Sequence, residues 1–396
     1  MLNNKLRILF VLGTFWGENG ITSHIYSLAK SLKDYGCEVA FASGISGDTE
    51  EIYESSIRAI KKFDSVGIQH YPIPFPQLKI SSQALLNVTK SLSELNKIIS
   101  QFQPDIIHLH SLSTYPFILA MRFIHKVPFV STCHMEPKTE RLNLKFSAFI
   151  NRHLKTIYGD RVIAISQDLR DAFEYTLKVP KNKIRLIYHG VDSEYFRPPS
   201  VEERLQARAE LNLEPEAKVI CHIGRLAKEK GHDTLFKAVA LLKSEGIDVT
   251  LLCAGKGYWD EEEVIRAQVT QAGISELVHL LGFVESRQVI WASDMIVLPS
   301  WPQSEAFPLV IIEAMLCGVV PIRTPAAGAY DQINDGMNGF IFPFYDSETL
   351  VLRLKELTED DQLRFQMSTA AHAFAQEKFS MDRMTRDTIS VYEELM

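Results

Sequence analysis

The feature that most constrains the fold is an alternation. Short β-branched runs, apolar on both faces, are separated by longer stretches with helical spacing. In the first half the runs cover 7–15, 38–43, 105–111, 128–134, 161–166 and 183–188; in the second they cover 218–226, 249–254, 278–283, 295–300 and 319–324. A strand can be apolar on both faces when helices cover both sides of a parallel sheet. Repeated strand–helix–strand units of this kind predict an α/β, doubly wound class. At 396 residues the chain exceeds one ordinary core, so two such domains are expected. The alternation pauses between 190 and 218, where Phe-Arg-Pro-Pro-Ser (196–200) and a charged helical stretch (201–211) read as an interdomain hinge. Residues 360–378 and 381–395 are helical patterns with no further strand.

Charge narrows the partners. The 42 Lys and Arg against 49 Asp and Glu give a formal charge of −7, which argues against nucleic acid. Lys5 and Arg7 precede an apolar run, 8–12, but the run dissolves into a glycine-rich turn without a small-x-small cleavage pattern. It reads as a buried first strand. No segment reaches the roughly 18 to 20 apolar residues needed to span a bilayer. Cys37, Cys133, Cys221, Cys253 and Cys317 are scattered and mostly set in apolar segments, as buried thiols of a reducing compartment would be. A cytoplasmic location is expected. The segment 141–158 intersperses Arg141, Lys145, Arg152 and Lys155 with Leu, Phe and Ile. It reads as an amphipathic surface helix, leaving open a peripheral contact with the inner face of a membrane or the lining of an acceptor site.

In open parallel sheets, ligands sit beyond the carboxyl ends of the strands, where strand order reverses. The polar residues at those ends are therefore the candidates. In the first half they are the loop Gly13–Gly20, then His108, His110 and Ser111, then His134 and Ser166; in the second they are Arg225 and Lys230, Gly255-Lys256-Gly257 and the segment 300–308 with Glu305. Arg225 and Lys230 could neutralise a diphosphate, the arginine by its fork and the lysine as a point charge; a solvated surface loop is the alternative. The first loop, Gly13-x3-Gly17-x2-Gly20, is not the dinucleotide fingerprint, but it lets a ligand approach amides at a helix start. Pro308 is placed as a first helical residue. Glu305 then stays in the loop and Glu313 lies inside the helix, both able to face one ligand beside the amides around Phe307, Leu309 and Val310. His108, His110 and His134 raise a three-histidine metal site as a minor reading; His134 is the best placed of them for ligand contact.

Together these residues resemble retaining glycosyltransferase family 4. The resemblance is carried by Gly-Arg-Leu-Ala-Lys-Glu-Lys-Gly (224–231), Leu-Gly-Phe-Val (281–284), Pro-Ser-x5-Ala-Phe-Pro-Leu-Val-Ile-Ile-Glu (299–313), Ala-Met-x-Cys-Gly-Val-Val-Pro-Ile (314–322) and Asp-Gly-x-Asn-Gly-Phe (335–340). In the first half Ile-x-His-x-His (106–110), His134, Ala-Ile-Ser (164–166) and His-Gly-Val-Asp (189–192) also match. It implies the GT-B architecture: an acceptor-binding Rossmann-like domain at 1–195, a donor-binding one at 196–378, and a helix at about 379–396 that packs back on the first. It further implies a retaining transferase that moves a sugar from a nucleoside-diphosphate donor, UDP or GDP type, to an acceptor hydroxyl in glycan, glycolipid or glycoside biosynthesis. Neither a cofactor nor a metal is implied. Arg225 and Lys230 would hold the diphosphate, Glu313 the ribose hydroxyls, and the backbone near Phe283 the base. Glu305 and the amides of Phe307, Leu309 and Val310 would cradle sugar and phosphate. Gly20 would face the phosphate, and His134 the sugar near the reacting carbon. His134, Arg225, Lys230 and Glu305 are thus the catalytic set. Two departures stand out: Asn19-Gly20 replaces adjacent glycines, and Ala306 replaces the usual glycine before Phe307.

The alternatives are a GT-B-type nucleotide-sugar epimerase or phosphorylase, and a non-catalytic nucleotide-binding module that has kept only the fold. An epimerase needs no acceptor, and a phosphorylase would use inorganic phosphate and a cofactor lysine. The absent fingerprint disfavours a nicotinamide oxidoreductase. Donor sugar, acceptor and oligomeric state carry no readable code.

Overall fold

The computed structural model describes residues 5–15, 17, 19–45, 49–75, 82–111, 114–135, 158–258 and 260–396. The chain forms two compact units: Met1–Gly190 with Met381–Met396, and Val191–Ser380. The amphipathic segment read at 141–158 lies outside the described residues, apart from Tyr158.

The first unit is built on seven strands: β1 (Arg7–Phe15), β2 (Glu38–Ile45), β3 (Gln69–Pro72), β4 (Ile106–Leu109), β5 (Phe129–Cys133), β6 (Arg161–Ala164) and β7 (Ile184–Leu186). They lie in the order β3-β2-β1-β4-β5-β6-β7, and every pairing is parallel. Strand order reverses between β1 and β4, so the loop after β1 and His110 after β4 share the switch point, whereas His108 lies within β4. β1 shows why the sequence folds this way. Ile8, Phe10 and Leu12 enter one apolar core, whereas Leu9 and Val11 enter the core on the other face. The helix Gly20–Asp34 covers the first face through Ile25, Leu28, Ala29 and Leu32.

The second unit holds β8 (Val219–Ile223), β9 (Thr250–Ala254), β10 (Val278–Gly282), β11 (Met295–Leu298), β12 (Val320–Arg323) and β13 (Phe340–Ile341). Their order is β10-β9-β8-β11-β12-β13, again all parallel, with the reversal between β8 and β11. Its entry helix, Val201–Glu210, is fixed by charge. Arg204 and the buried Arg208 both reach Asp294, at 2.7 and 3.1 Å, and Asp294 also accepts the Val219 amide at the start of β8.

Three local expectations are corrected. Two strands escape the periodicity: β3, a four-residue edge strand ending in proline, and β13, only two residues long. Pro308 is the residue before the first helical position rather than the first itself; its ψ of 121° is extended, and the helix is Leu309–Leu316.

The terminal helix Met381–Glu393 belongs to the first unit. Met384, Val391 and Tyr392 join the same core as Phe10 and Ile25. The wholly buried Tyr392 hydroxyl lies 2.6 Å from His108 Nδ1, and His108 Nε2 lies 2.7 Å from the Thr132 hydroxyl. Both ring nitrogens of His108 are thereby satisfied. Tyr392→Phe leaves one buried nitrogen without its partner, an expected cost of about 1–3 kcal/mol. Urea unfolding checks this; an unchanged midpoint would show that the bond contributes nothing net.

Candidate active site

At the switch point of the second sheet, β8 runs into 224–231. Three main-chain bonds lock the strand-end loops together: Gly224 N–H to Ala254 O (3.0 Å), Leu226 N–H to Lys256 O (3.0 Å) and Gly255 N–H to Gly282 O (2.7 Å). Gly255 is held at φ 142°, and a Cβ there would stand 1.8 Å from the Gly224 carbonyl oxygen. The Gly-Lys-Gly turn is therefore a backbone requirement. Gly231, at φ 72°, ends the short turn Lys228–Lys230 and opens the helix His232–Ser244.

Both cations are held by carboxylates. Arg225 Nη1 donates to both oxygens of Glu261, at 2.9 and 3.1 Å, and Nη2 pairs with Glu229. Lys230 pairs with Glu305, whose Oε1 also accepts from the Ser300 hydroxyl at 2.9 Å. The loops after β8 and β11 thus meet through Lys230, Glu305 and Ser300. Glu229 and Glu261 are partners of Arg225 that sequence reasoning missed. Glu261 is one of three consecutive glutamates at a helix start, and only the tertiary placement of Arg225 distinguishes it.

Downstream of Glu305, the chain reaches the helix Leu309–Leu316. Ala306 and Phe307 are buried, and Phe307 packs edge-on against Phe379, with centroids 5.6 Å apart. Ala306 is absent from the positive-φ residues, so its methyl imposes no strain. Leu309 and Val310 are half-buried in the first turn. This start is buttressed by the wholly buried Arg323 at the end of β12. Arg323 pairs with Gln332 and donates to the Ala326 and Ala327 carbonyls, both at 3.2 Å; Gln332 in turn donates to Pro308 O at 3.0 Å. Sequence reasoning missed Arg323; its signal was an arginine closing an apolar strand. Glu313 is the fifth residue of the helix. It keeps some exposed surface, but protein surrounds its carboxyl group. Desolvation pushes it up to about 7, opposed by a hydrogen bond from Ser286. Phe283, beyond β10, is 67% exposed.

In the first unit, Asn19 caps the helix Gly20–Asp34, accepting from the Ile21 and Thr22 amides at 2.9 and 3.1 Å. Two of the helix-start donors are therefore already engaged. Asn19 has φ −150°, an extended conformation that does not need glycine. Gly20 has nothing within 4 Å of a Cβ position, so space rather than strain characterises it. Gly17, at φ 77°, is the conformationally demanding glycine.

The histidines form a buried cluster. His110 Nδ1 lies 3.1 Å from His134 Nε2, and His24 stacks on His189 with centroids 3.9 Å apart. Burial pushes His108 down to about 3 and His134 to about 4, and holds His24 and His110 well below the ordinary range. All are neutral at pH 7. His24 was missed in sequence, since a histidine on the apolar face of a helix looks like packing, and His189 was read only as part of the His-Gly-Val-Asp match. The metal set read as His108, His110 and His134 is corrected: His108 is committed to Tyr392 and Thr132, and His24 stands in its place. The five cysteines are buried free thiols, and no described helix is long and apolar enough to cross a membrane.

Comparison with known proteins accords with this arrangement. The glycosyl transferases group 1 model matches residues 203–374, and the glycosyltransferase family 4 model matches 18–195. An uncharacterized glycosyltransferase of Methanocaldococcus jannaschii is 26% identical over 301 residues, 74% of this chain and 76% of that one. The D-inositol 3-phosphate glycosyltransferase of Jonesia denitrificans is 30% identical over 307 residues, 73% of this chain and 71% of that one. Among solved structures, Anabaena HepE in complex with UDP and glucose matches with a TM-score of 0.80 at 22% identity, covering 98% of this chain and 99% of that one. Sucrose-phosphate synthase from Thermosynechococcus elongatus matches at 0.78 and 18% identity, covering 99% of both chains. With two Rossmann-like parallel-sheet units of the GT-B fold, the chain belongs to the group 1, family 4 glycosyltransferases.

Proposed function

We propose that this glycosyltransferase moves a sugar from a nucleoside-diphosphate donor to an acceptor hydroxyl with retention of configuration, in the cytoplasmic synthesis of a glycan, glycolipid or glycoside. The observation that carries the reading is the meeting of Lys230, Glu305 and Ser300 at the second sheet's switch point, on the loop that also bears Arg225. HepE, whose fold is similar, was solved with UDP and glucose, and other relatives are named for D-inositol 3-phosphate.

In this reading the donor diphosphate displaces carboxylates. Arg225 exchanges Glu229 and Glu261 for phosphate oxygens, and Lys230 adds a second positive charge. The half-buried amides of Leu309 and Val310, with that of Phe307, point to the same anion. Glu305, released from Lys230, accepts from a sugar hydroxyl. Glu313 accepts from the ribose hydroxyls, and the base lies against the backbone near Phe283. The family resemblance further assigns the start of the helix at Gly20 to the phosphate and His134 to the sugar. As the anomeric carbon–oxygen bond breaks, its electron pair stays on the diphosphate, which the cations stabilise without a metal ion. The acceptor oxygen bonds to the anomeric carbon from the same face, and its proton passes to the departing phosphate oxygen.

Two experiments test this reading. Arg225→Ala and Lys230→Ala should each lower turnover at least ~100-fold, the scale for removing a stabiliser of a developing anion; near-normal rates in both would remove the diphosphate assignment. The second is a thermal-shift panel of UDP, GDP, ADP, dTDP and NAD in EDTA, repeated with Glu313→Ala. One nucleoside diphosphate at ~100 times its dissociation constant adds about 2.7 kcal/mol of stability, and the variant should lose it. A response to NAD alone would refute the donor class.

Glu313 adds a pH signature. It titrates near 7 and is a carboxylate only above that. Ribose hydroxyls bond a carboxylate more strongly than a neutral acid, so affinity should rise about fivefold from about pH 6 to about pH 8. In Glu313→Gln this rise should vanish. For the unliganded chain the sign is opposite. A carboxyl raised by folding contributes stability below its unfolded range, and that contribution is lost as pH climbs through about 7.

A further inference from the structure

Beyond the transfer reaction, the first unit gathers three metal-competent rings. His24 comes from the helix Gly20–Asp34, His110 follows β4, and His134 follows β5. Each offers a ring nitrogen, and these nitrogens all lie within 4.8 Å of one another. The rings are only 3%, 4% and 9% exposed, so water does not satisfy them freely. Among the described residues, both nitrogens of His24, Nε2 of His110 and Nδ1 of His134 have no hydrogen-bond partner. A neutral imidazole carries one N–H and one lone pair. Three such rings, buried and gathered this closely, are a donor set for a cation.

The spacing suits zinc. With Zn–N bonds of 2.0–2.1 Å, nitrogens around a tetrahedral ion stand about 3.4 Å apart. His110 Nδ1 and His134 Nε2 stand 3.1 Å apart, in a hydrogen bond that a cation would replace, and a ring nitrogen of His24 lies within 4.8 Å of both rings' ligand atoms. An all-nitrogen set favours zinc-class ions over magnesium or calcium, which take oxygen ligands.

We propose that His24, His110 and His134 form a binding site for one zinc-class divalent cation, with three protein nitrogens and a fourth position open to water. His134 is also the residue that the transfer reading places at the donor sugar. The test therefore reads metal binding rather than turnover, and its failure is distinct from failure of the transferase assignment.

The full chain, stripped with a chelator and dialysed, is titrated with Zn²⁺ against a chromophoric competitor and separately with Co²⁺. The expected result is one ion per chain, with the intense visible absorption of tetrahedral Co²⁺. His24→Gln and His110→Gln should each weaken zinc at least ~100-fold, more than loss of an outer-shell partner does, with unchanged circular dichroism. His24→Cys should restore most of the affinity, because a thiolate is itself a zinc ligand. His279→Gln, in β10 of the other unit, should bind as the parent does. Absence of stoichiometric Zn²⁺ and Co²⁺ binding by the parent chain would overturn the proposal without recourse to any variant. So would parent-like affinity in His24→Gln and His110→Gln, or affinity in His24→Cys no better than in His24→Gln.

Discussion

Parallel pairing is the constraint on which the rest depends. Each strand of both sheets runs in the same direction as its neighbours, so every carboxyl end within a sheet lies at one edge. The loops after β8, β9 and β10 are then adjacent by construction, and hydrogen bonds from Gly224, Leu226 and Gly255 fix their spacing. Without that lattice, Arg225 would be a long side chain on a solvated loop. With it, the guanidinium is aimed, since Gly224 and Leu226, the residues before and after Arg225, both bond to the end of β9 and its loop. The close approach at Gly255 leaves no room for a side chain, which ties a local glycine to the placement of a distant charge.

The cations of this edge are matched by carboxylates, and the match explains why such a site can exist unliganded. Lys230 and Glu305 are 18% and 11% exposed at their side chains. Either charge left alone there would carry a desolvation penalty that its partner offsets. In the proposed reading, a diphosphate entering the loop would supply the charge that the glutamates supply, and the cations would exchange partners instead of being newly buried. Arg225 spreads its fork over two glutamates, Nη1 on both oxygens of Glu261 and Nη2 on Glu229, so both of its terminal nitrogens face oxyanions.

Much of this was legible in the residue order because strand ends are marked by a change from apolar to polar. Lys230 and Glu305, seventy-five positions apart in sequence, were both assigned to strand ends, and the structure brings them into contact. What was not legible depended on three dimensions. β3 carries Gln, His and Tyr and ends in Pro72, which resembles a loop when no neighbour is known. Arg323 looked like the end of a strand; its burial against Gln332 and two carbonyls is a property of the folded turn. The Asn19 cap occupies amides that a glycine-rich loop had seemed to leave open, because a side-chain oxygen two residues away competes with any ligand for them. Pro308 sat one position from where its missing N–H would have placed it, since the chain stays extended until Leu309.

Burial sets opposite proton preferences in the two units. In the first it disfavours the charged form of the clustered histidines. Their lowered affinities mean that folding releases protons, so the stability they contribute is present above their ordinary range near 6.5 and falls away as acid approaches about 4 for His134 and about 3 for His108. In the second, burial disfavours the carboxylate of Glu313, and its contribution falls away in the other direction, as pH rises through about 7. The same desolvation therefore keeps one cluster of bases unprotonated and one acid partly protonated near neutrality. A lone pair in the first unit is free to take a Lewis acid, whereas the carboxyl in the second gains its full acceptor strength only on losing a proton. Charge at each centre is thus decided by what surrounds it, and the strand ends decide what surrounds it.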